Sequence, residues 1–374
     1  MAKEGEVVCV TGGSGCIGSW LVRLLLDRGY TVHATVQDLK DESETKHLEA
    51  LEGAETRLRL FQIDLLDYGS IVSAVNGCAG VFHVASPNIL QQVPDPQKQL
   101  LDPAIKGTIN VLTAAKEAGV SRVVVTSSLM AITTSSNFPD DIVEVEDCWT
   151  DIEDCKKKGL WYPVSKTLAE KAAWDFSKEK GLDVVMVNPG MVLGPLIPPR
   201  LNASMVLYVG SPKLGKRVSH ILQKHVALCC SLGWEVAMLK TKDAKDNASQ
   251  VISNRQNHGS VSFQQVLLFY LYIEDEPYLE CSEVPEDLFI GYVHFKDVAL
   301  AHILVYENKS ATGRHLCVES IWNYSDFVAK IAELYPAYKV PSIRTLSPED
   351  GGIGLHSKDN CDLEIIMLND EEDI

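Results

Sequence analysis

No stretch of this 374-residue chain stays apolar for the ~20 residues that a membrane-spanning helix needs. The longest unbroken apolar run near its middle, Val266 to Ile273, is far too short. The opening residues, Met1-Ala2-Lys3-Glu4-Gly5-Glu6, lack the apolar core of a secretion signal. Positive charge is scarce: 34 Lys and Arg face 51 Asp and Glu, a net −17. Nucleic acid and anionic membrane both need basic patches, so neither is expected as a partner. A small anionic ligand is not excluded, because a helix N-terminus or a few local cations can hold one. The ten cysteines contain no C-x-x-C pair and no metal-ligand spacing with histidine. They read as free thiols of a reducing cytoplasm, Cys229-Cys230 as two small apolar residues, and no metal site is expected. What is present is ordinary for a globular protein, with 46% hydrophobic and 23% charged residues.

The first 200 residues alternate short apolar runs with helical patterns. Val7-Val8-Cys9-Val10 is continuously apolar, as a strand buried on both faces should be. Ile17 to Arg28 carries apolar residues at helical spacing, and Gly29 ends it. Thr31–Val36, Leu58–Ile63, Gly80–Val84, Ser121–Thr126 and Leu182–Val187 repeat the strand pattern, with helices at Pro103–Ala118 and Val164–Lys180. Strands alternating with helices predict an α/β fold, a Rossmann-type doubly wound parallel sheet. The character changes after about Ser204. Residues 206–276 hold eight Lys or Arg against six Asp or Glu, a local excess of the opposite sign to the rest. Thr241 to Ser260 is polar without a clear period. Order returns near Phe289 with Gly291-Tyr292-Val293-His294-Phe295-Lys296-Asp297 and a helix through Ala299, Leu300 and Ile303. Arg314–Val318 reads as a strand and Tyr324–Leu334 as a helix, and the acidic end from Asn369 as a solvated tail.

Thr11-Gly12-Gly13-Ser14-Gly15-Cys16-Ile17-Gly18 joins the first strand to the first helix. Glycines at 12, 15 and 18 allow a tight turn and close approach of backbone to a pyrophosphate, which the N–H groups of the helix start then face. In this strand–turn–helix context the string predicts dinucleotide binding. An acid at the end of the second strand would hold the ribose 2′-OH of NAD, but Val36 stands there. Gln37, Lys40 and Lys46 follow, and either lysine could meet a 2′-phosphate or be a solvated charge, so NADP is favoured. Asp64-Leu65 ends the third strand, near an adenine, and His83-Val84-Ala85-Ser86 ends the fourth beside the cofactor. His83 itself reads as a packed core histidine.

Tyr162 and Lys166, four apart at the start of a helix, share one face. Tyrosine titrates near pH ~10, and a lysine ammonium beside it favours the phenolate, which makes it a usable acid–base. The same lysine can hold a nicotinamide ribose. Thr126-Ser127-Ser128 ends the fifth strand at the sheet's carboxyl edge. A serine hydroxyl there can hold a substrate carbonyl oxygen; either serine could equally be a strand-end cap. Glycine loop, serine and Tyr-x-x-x-Lys, in this order, predict hydride and proton transfer to a carbonyl.

These stretches resemble the extended short-chain dehydrogenase/reductases, in the plant group of cinnamoyl-CoA, dihydroflavonol and phenylacetaldehyde-type reductases. The resemblance rests on Val8–Gly12 with Gly15, Gly18, Ser19 and Trp20; on Gly80–Ala85; on Asp102-Pro103-Ala104 with Lys106-Gly107-Thr108; on Val125–Ser128; on Trp161-Tyr162 with Ser165-Lys166; on Asn188-Pro189-Gly190; and on Val293–Ala299. It covers residues 5–205 and about 280–340. It implies Ser128, Tyr162 and Lys166 as the catalytic residues. It also implies NADP (NADPH) contacts from the loop residues, including Cys16 and Ile17, and from Gln37, Lys40, Asp64, Leu65, Val84, Ala85, Ser86, Tyr162, Lys166, Pro189 and Val192. The expected partner is a small-molecule aldehyde or acyl-CoA of phenylpropanoid type.

The chain also departs from the group. Cinnamoyl-CoA reductases carry a Cys-Tyr-Gly sequence before the lysine where this chain has Pro163-Val164-Ser165, closer to aldehyde-reducing relatives. Dihydroflavonol reductases usually place Asn at the position of Thr133, and the usual Arg after the second strand is Gln37. The predicted organisation is an NADP-binding domain with the catalytic residues at 1–205, an atypical insertion at 206–278, substrate-lobe and return elements at 279–342, and an atypical acidic tail at 343–374. The two atypical stretches read as the product of an alternative or misassigned transcript rather than a real substrate-domain insertion. The competing readings are a dihydroflavonol-type ketone reductase, an epimerase or dehydratase with retained NAD, which Val36 disfavours, and an inactive isoform that still binds nucleotide.

Overall fold

The computed structural model describes residues 5–89, 93–133, 145–199 and 289–323, with positions 284–285, 326, 329 and 343–344. Seven parallel strands form the central sheet. They are β1 (Val7–Thr11), β2 (Thr31–Val36), β3 (Leu58–Gln62), β4 (Gly80–His83), β5 (Arg122–Thr126), β6 (Val184–Pro189) and, from the C-terminal part, β10 (Gly313–Cys317). Their order is β10-β6-β5-β4-β1-β2-β3. The chain runs outward from β1 to β3, then returns to β4 on β1's other side. The doubly wound sheet is therefore as expected, and its order reverses between β1 and β4. Thr11 pairs with His83 at the carboxyl ends of those strands, where ligands bind in such sheets.

Both faces of the sheet are buried, because successive strand residues point to opposite sides and both kinds are apolar. Val8, Val10 and Val124 face one core with Leu21 and Leu25 of α1 (Cys16–Asp27) and with Ala299 and Ile303 of the helix at Phe295–Glu307, called α8 below. Cys9, Val123 and Val125 face the other core. That core is closed by α4 (Tyr68–Val75), α5 (Asp102–Glu117) and α7 (Trp161–Lys180). Each fully buried Val or Leu contributes roughly 1.5–3 kcal/mol through this burial. Short helices α2 (Glu42–Glu49) and α3 (Ala54–Arg57) link β2 to β3, and α6 (Ile152–Lys157) precedes α7.

Helix α7 begins three residues before the periodicity predicts. Pro163 is its third residue, where the missing N–H costs nothing because a first-turn N–H has no intrahelical acceptor. Gly181, at φ 61°, ends it in the left-handed conformation that glycine adopts without strain. A smaller sheet stands β7 (Met191–Leu193) beside β9 (Phe289–His294), which in turn pairs with β11 (Ser320–Asn323). Two short strands, β8 (Val284–Pro285) and β12 (Ile343–Arg344), also pair.

Arg122 bonds α8 to the sheet. Its guanidinium, 2% exposed, donates to the carbonyls of Val305 (2.6 Å), Asn308 (2.6 Å) and Lys309 (3.1 Å) at the end of α8, and pairs with Asp183 at 2.7 Å. The atypical stretch at 206–278 lies outside the described residues, as does the tail at 343–374 beyond Arg344. The helix predicted at Tyr324–Leu334 is described only at positions 326 and 329, both helical.

Candidate active site

Most of the candidate residues sit at or just beyond the carboxyl end of a strand or in the first turns of α1 and α7. The glycine loop follows β1. Its turn is tied to β2 by Gly12 N–H donating to Thr35 Oγ1 (2.9 Å) and Gly13 N–H to the Thr35 carbonyl (2.8 Å). Gly12 needs its φ of 68°, and a Cβ there would stand 3.0 Å from Ala85 Cα. A Cβ on Gly18 would stand 2.1 Å from the Gly12 carbonyl oxygen. Gly15 caps α1, and the first helical N–H to find an intrahelical acceptor is that of Ser19, bonded to the Gly15 carbonyl. The N-terminal end of α1 therefore begins with amides that have no intrahelical acceptor, the arrangement a pyrophosphate-binding helix start has.

A hydroxyl the sequence reading passed over organises the junction of β1 and β4. Thr11 Oγ1 accepts from the amides of Val84 and Ala85, both at 3.1 Å, so its proton goes to His83 Nδ1 at 2.9 Å. Thr108 donates to the Ala104 carbonyl (2.7 Å) and so receives a proton from His83 Nε2 at 3.2 Å. Both ring nitrogens are thus assigned in a neutral imidazole. Burial pushes the His83 pKa down to about 3, with the Lys166 charge adding to the effect. It is a packed core histidine, as its position in a buried strand suggests.

After β2, Val36 is buried and Gln37 to Lys40 form an exposed turn. An acid does reach this strand end, but from α2: the buried Glu44 carboxylate accepts the amides of Gln37 (2.7 Å) and Asp38 (3.3 Å). Lys46 points elsewhere, paired with Glu42 at 3.7 Å on an exposed face. Asp64, exposed after β3, accepts the Leu66 amide at 2.8 Å, and Leu65 packs on Gly107. Val84, Ala85 and Ser86 are half-buried after β4, while Pro189 and Val192 are buried at β6 and β7.

The structure separates the two serines after β5. Ser127 turns inward and donates to Glu170. Ser128 starts the 3₁₀ turn Leu129–Ala131, accepts the Met130 amide at 3.1 Å, and stands beside the half-buried Tyr162 hydroxyl, whose pKa it lowers. Lys166, buried beneath them, donates to the Thr126 carbonyl at 3.3 Å. That strand end is fixed from behind by His302 of α8. Its Nδ1 donates to the Val298 carbonyl (2.7 Å), so its Nε2 accepts the Thr126 hydroxyl at 2.6 Å.

One expectation about this group is corrected. Lys166 does not hold the Tyr162 phenol down. Burial pushes the phenol up to about 12, against a smaller opposing effect of the Ser128 hydrogen bond. Burial also pulls Lys166 down to about 8, and the Glu170 carboxylate works the other way. Tyr162 therefore carries its proton at neutral pH, the form that can give one away.

Loop and reacting groups share one locus: Gly12 rests on Ala85, Thr11 bonds His83, and His83 lies within the field of Lys166. Among the described residues, no cluster of His, Cys, Asp and Glu is arranged to hold a metal ion. No described helix is long and apolar enough to cross a membrane.

Residues 8–217 match the model of the NAD dependent epimerase/dehydratase family. A cinnamoyl-CoA reductase of Medicago truncatula is 42% identical over 90% of this chain and 83% of its own length. A bifunctional dihydroflavonol 4-reductase/flavanone 4-reductase of Malus domestica is 33% identical over 91% of this chain and 80% of its own. Among solved structures, yeast methylglyoxal/isovaleraldehyde reductase Gre2 complexed with NADPH superposes with a TM-score of 0.63, at 22% identity over 91% of this chain and 86% of that one. That last likeness is one of fold.

Proposed function

This chain belongs to the NAD dependent epimerase/dehydratase family, and from that membership we propose that it is an NADPH-dependent reductase of an aldehyde or a hydroxycinnamoyl-CoA thioester. The observation that carries the reading is a protonated tyrosine beside a serine and one helical turn from a buried lysine, at the carboxyl edge that also bears the glycine loop. When bound, NADPH supplies the hydride to the carbonyl carbon. Gly12 and the Gly15–Gly18 end of α1 hold the pyrophosphate. Asp64 and Leu65 lie toward the adenine, and Gln37 and Lys40 toward the 2′-phosphate. Val84, Ala85, Ser86, Pro189 and Val192 wall the nicotinamide end. Ser128 and Tyr162 donate hydrogen bonds to the substrate carbonyl oxygen, and Tyr162 gives that oxygen its proton. Lys166 orients the ribose. With a thioester, the protonated adduct expels the thiol of CoA and leaves the aldehyde.

The cinnamoyl-CoA reductase relative at 42% identity, against 33% for the dihydroflavonol reductase, supports the first substrate class over the second. Val36 is apolar and buried at the end of β2, and the Glu44 carboxylate that reaches this strand end is taken up by the Gln37 and Asp38 amides, which speaks against retained NAD and epimerase or dehydratase chemistry. The six described cysteines form no disulfide, which suits a cytoplasmic protein. The test is NADPH consumption over cinnamaldehydes, phenylacetaldehyde, hydroxycinnamoyl-CoA esters and a dihydroflavonol. Tyr162→Phe is expected to lose ~10²–10⁴-fold in turnover and to keep its NADPH titration. Turnover retained in that variant rules out the mechanism. Binding without turnover by the unaltered chain establishes the inactive reading instead.

A further inference from the structure

Glu170 lies one helical turn beyond Lys166 on α7, and its carboxylate is 1% exposed. Donors converge on it from several elements. Oε1 accepts Arg314 Nε at 2.6 Å and Trp174 Nε1 at 3.4 Å. Oε2 accepts Asn188 Nδ2 at 3.0 Å and the Ser127 hydroxyl. Arg314, on β10, uses its remaining N–H groups on the carbonyls of Glu146 (2.7 Å), Cys148 (2.5 Å) and Ala131 (3.2 Å), and lies over the Trp149 ring at 4.0 Å. Asn188 also donates to the Ser128 carbonyl at 3.2 Å.

Ser127 by its side chain, and Ser128 and Ala131 by their carbonyls, are thus bound to one buried group of residues. Those three points bracket the turn that presents Ser128. A buried ion pair of this kind adds little net stability compared with apolar packing of the same volume, because desolvation offsets the attraction. What it does supply is fixed geometry and a fixed charge.

We propose that Glu170 is a positioning residue of the reaction: held by Arg314, it fixes the Ser127–Ala131 backbone that presents Ser128 to Tyr162, and it sets the field at the Lys166 ammonium. The inference rests on the reductase reading above. Among the described residues, few groups face Lys166. Tyr162 precedes it and Glu170 follows it on α7. The Thr126 carbonyl faces it from β5, neutral His83 from β4, and neutral His302 of α8 stands behind Thr126. Arg314 acts on it only through Glu170. Glu170 is the anion among them, so removing its charge lets burial lower the Lys166 midpoint below about 8.

The experiment compares Glu170→Gln, Glu170→Asp and Arg314→Lys in the full chain. Lys166 is titrated by its 13Cε resonance, assigned with Lys166→Met, a readout that needs no turnover. Activity is followed as kcat and KM against pH. Glu170→Gln is expected to lower the Lys166 midpoint and to move the alkaline limb of kcat down with it. Its kcat should fall by about 100-fold, the scale of a small misplacement of reacting groups, with KM little changed. Glu170→Asp is expected to restore the midpoint. Arg314→Lys keeps the charge and loses the fork, so kcat should fall without a downward shift, which serves if Glu170→Gln does not fold. An unmoved Lys166 midpoint with unmoved kcat, alongside lowered thermal stability, overturns the proposal and leaves a structural role. If the unaltered chain reduces no carbonyl but its Lys166 midpoint still falls in Glu170→Gln, the reductase reading fails and the field effect stands.

Discussion

Two glycines of one loop should fail in opposite ways when each receives a single methyl group. At Gly18 the added Cβ would lie 2.1 Å from the Gly12 oxygen, 2.9 Å from its carbonyl carbon and 3.0 Å from Gly13 Cα. All three are backbone atoms, and that backbone is pinned to Thr35 by two hydrogen bonds. Relief requires a shift of about 1 Å, which puts Gly18→Ala at the upper end of overpacking costs, ~3 kcal/mol. For a chain of 374 residues that is a fall of roughly 4 °C in Tm. At Gly15 the backbone is extended (φ −74°, ψ 167°) and the Cβ meets only the Gly12 oxygen, at 3.3 Å. Reduced unfolded-state entropy and a weaker helix cap nearly cancel, each ~0.5–1 kcal/mol. Gly15→Ala should therefore keep its Tm within ~1 °C. Its methyl group occupies the space into which a pyrophosphate must come to reach the start of α1. Two charge-assisted hydrogen bonds lost there, at ~1.5–3 kcal/mol each, weaken NADPH binding by 100-fold or more. Thermal melts without ligand and NADPH fluorescence titrations decide the matter. Wild-type affinity in Gly15→Ala, or an unchanged Tm in Gly18→Ala, refutes the assignment of these two roles.

Two more consequences concern stability. Burial lowers His302 to about 4 and His83 to about 3, so the unfolded chain takes up protons below pH ~6.5 that the folded chain refuses. Stability should fall as pH drops from there toward 4, by up to ~1.4 kcal/mol per pH unit for each histidine. His302→Gln should be less stable at neutrality but decline less steeply in melts between pH 7 and 4.5; an unchanged slope removes His302 from the account. Arg122→Met strips donors from three carbonyls at the end of α8 and should cost about 3 kcal/mol or more in denaturant unfolding. Asp183→Asn should cost under ~1 kcal/mol, because Asp183 is 43% exposed and its pair with Arg122 is screened. Equal losses in the two variants would count against the carbonyl bonds as the source.

Much of the candidate site was legible because its parts are local. The glycine loop, the buried strands and the Tyr162–Lys166 spacing are patterns within a dozen residues, and the folded chain keeps them within a residue or three of their expected bounds. Pro163 concealed the start of α7, since a proline in a first helical turn resembles a break. Glu170 carried one signal, its four-residue spacing from Lys166. Arg314 carried another, as a charge within a strand otherwise suited to burial. Neither signal could name a partner 144 residues away.

The sequence by itself determined the doubly wound sheet, the dinucleotide loop and the class of reacting groups, since each follows from periodicity or spacing along the chain. Only the tertiary structure decided which of two adjacent serines meets Tyr162. A strand alternates its side chains, but the turn after β5 breaks that alternation, and the Glu170–Arg314 pair draws Ser127 inward. It also decided the protonation of Tyr162. Spacing places a lysine near the phenol, but burial, which depends on every element packed around it, raises the phenol's pKa and keeps the proton on the oxygen.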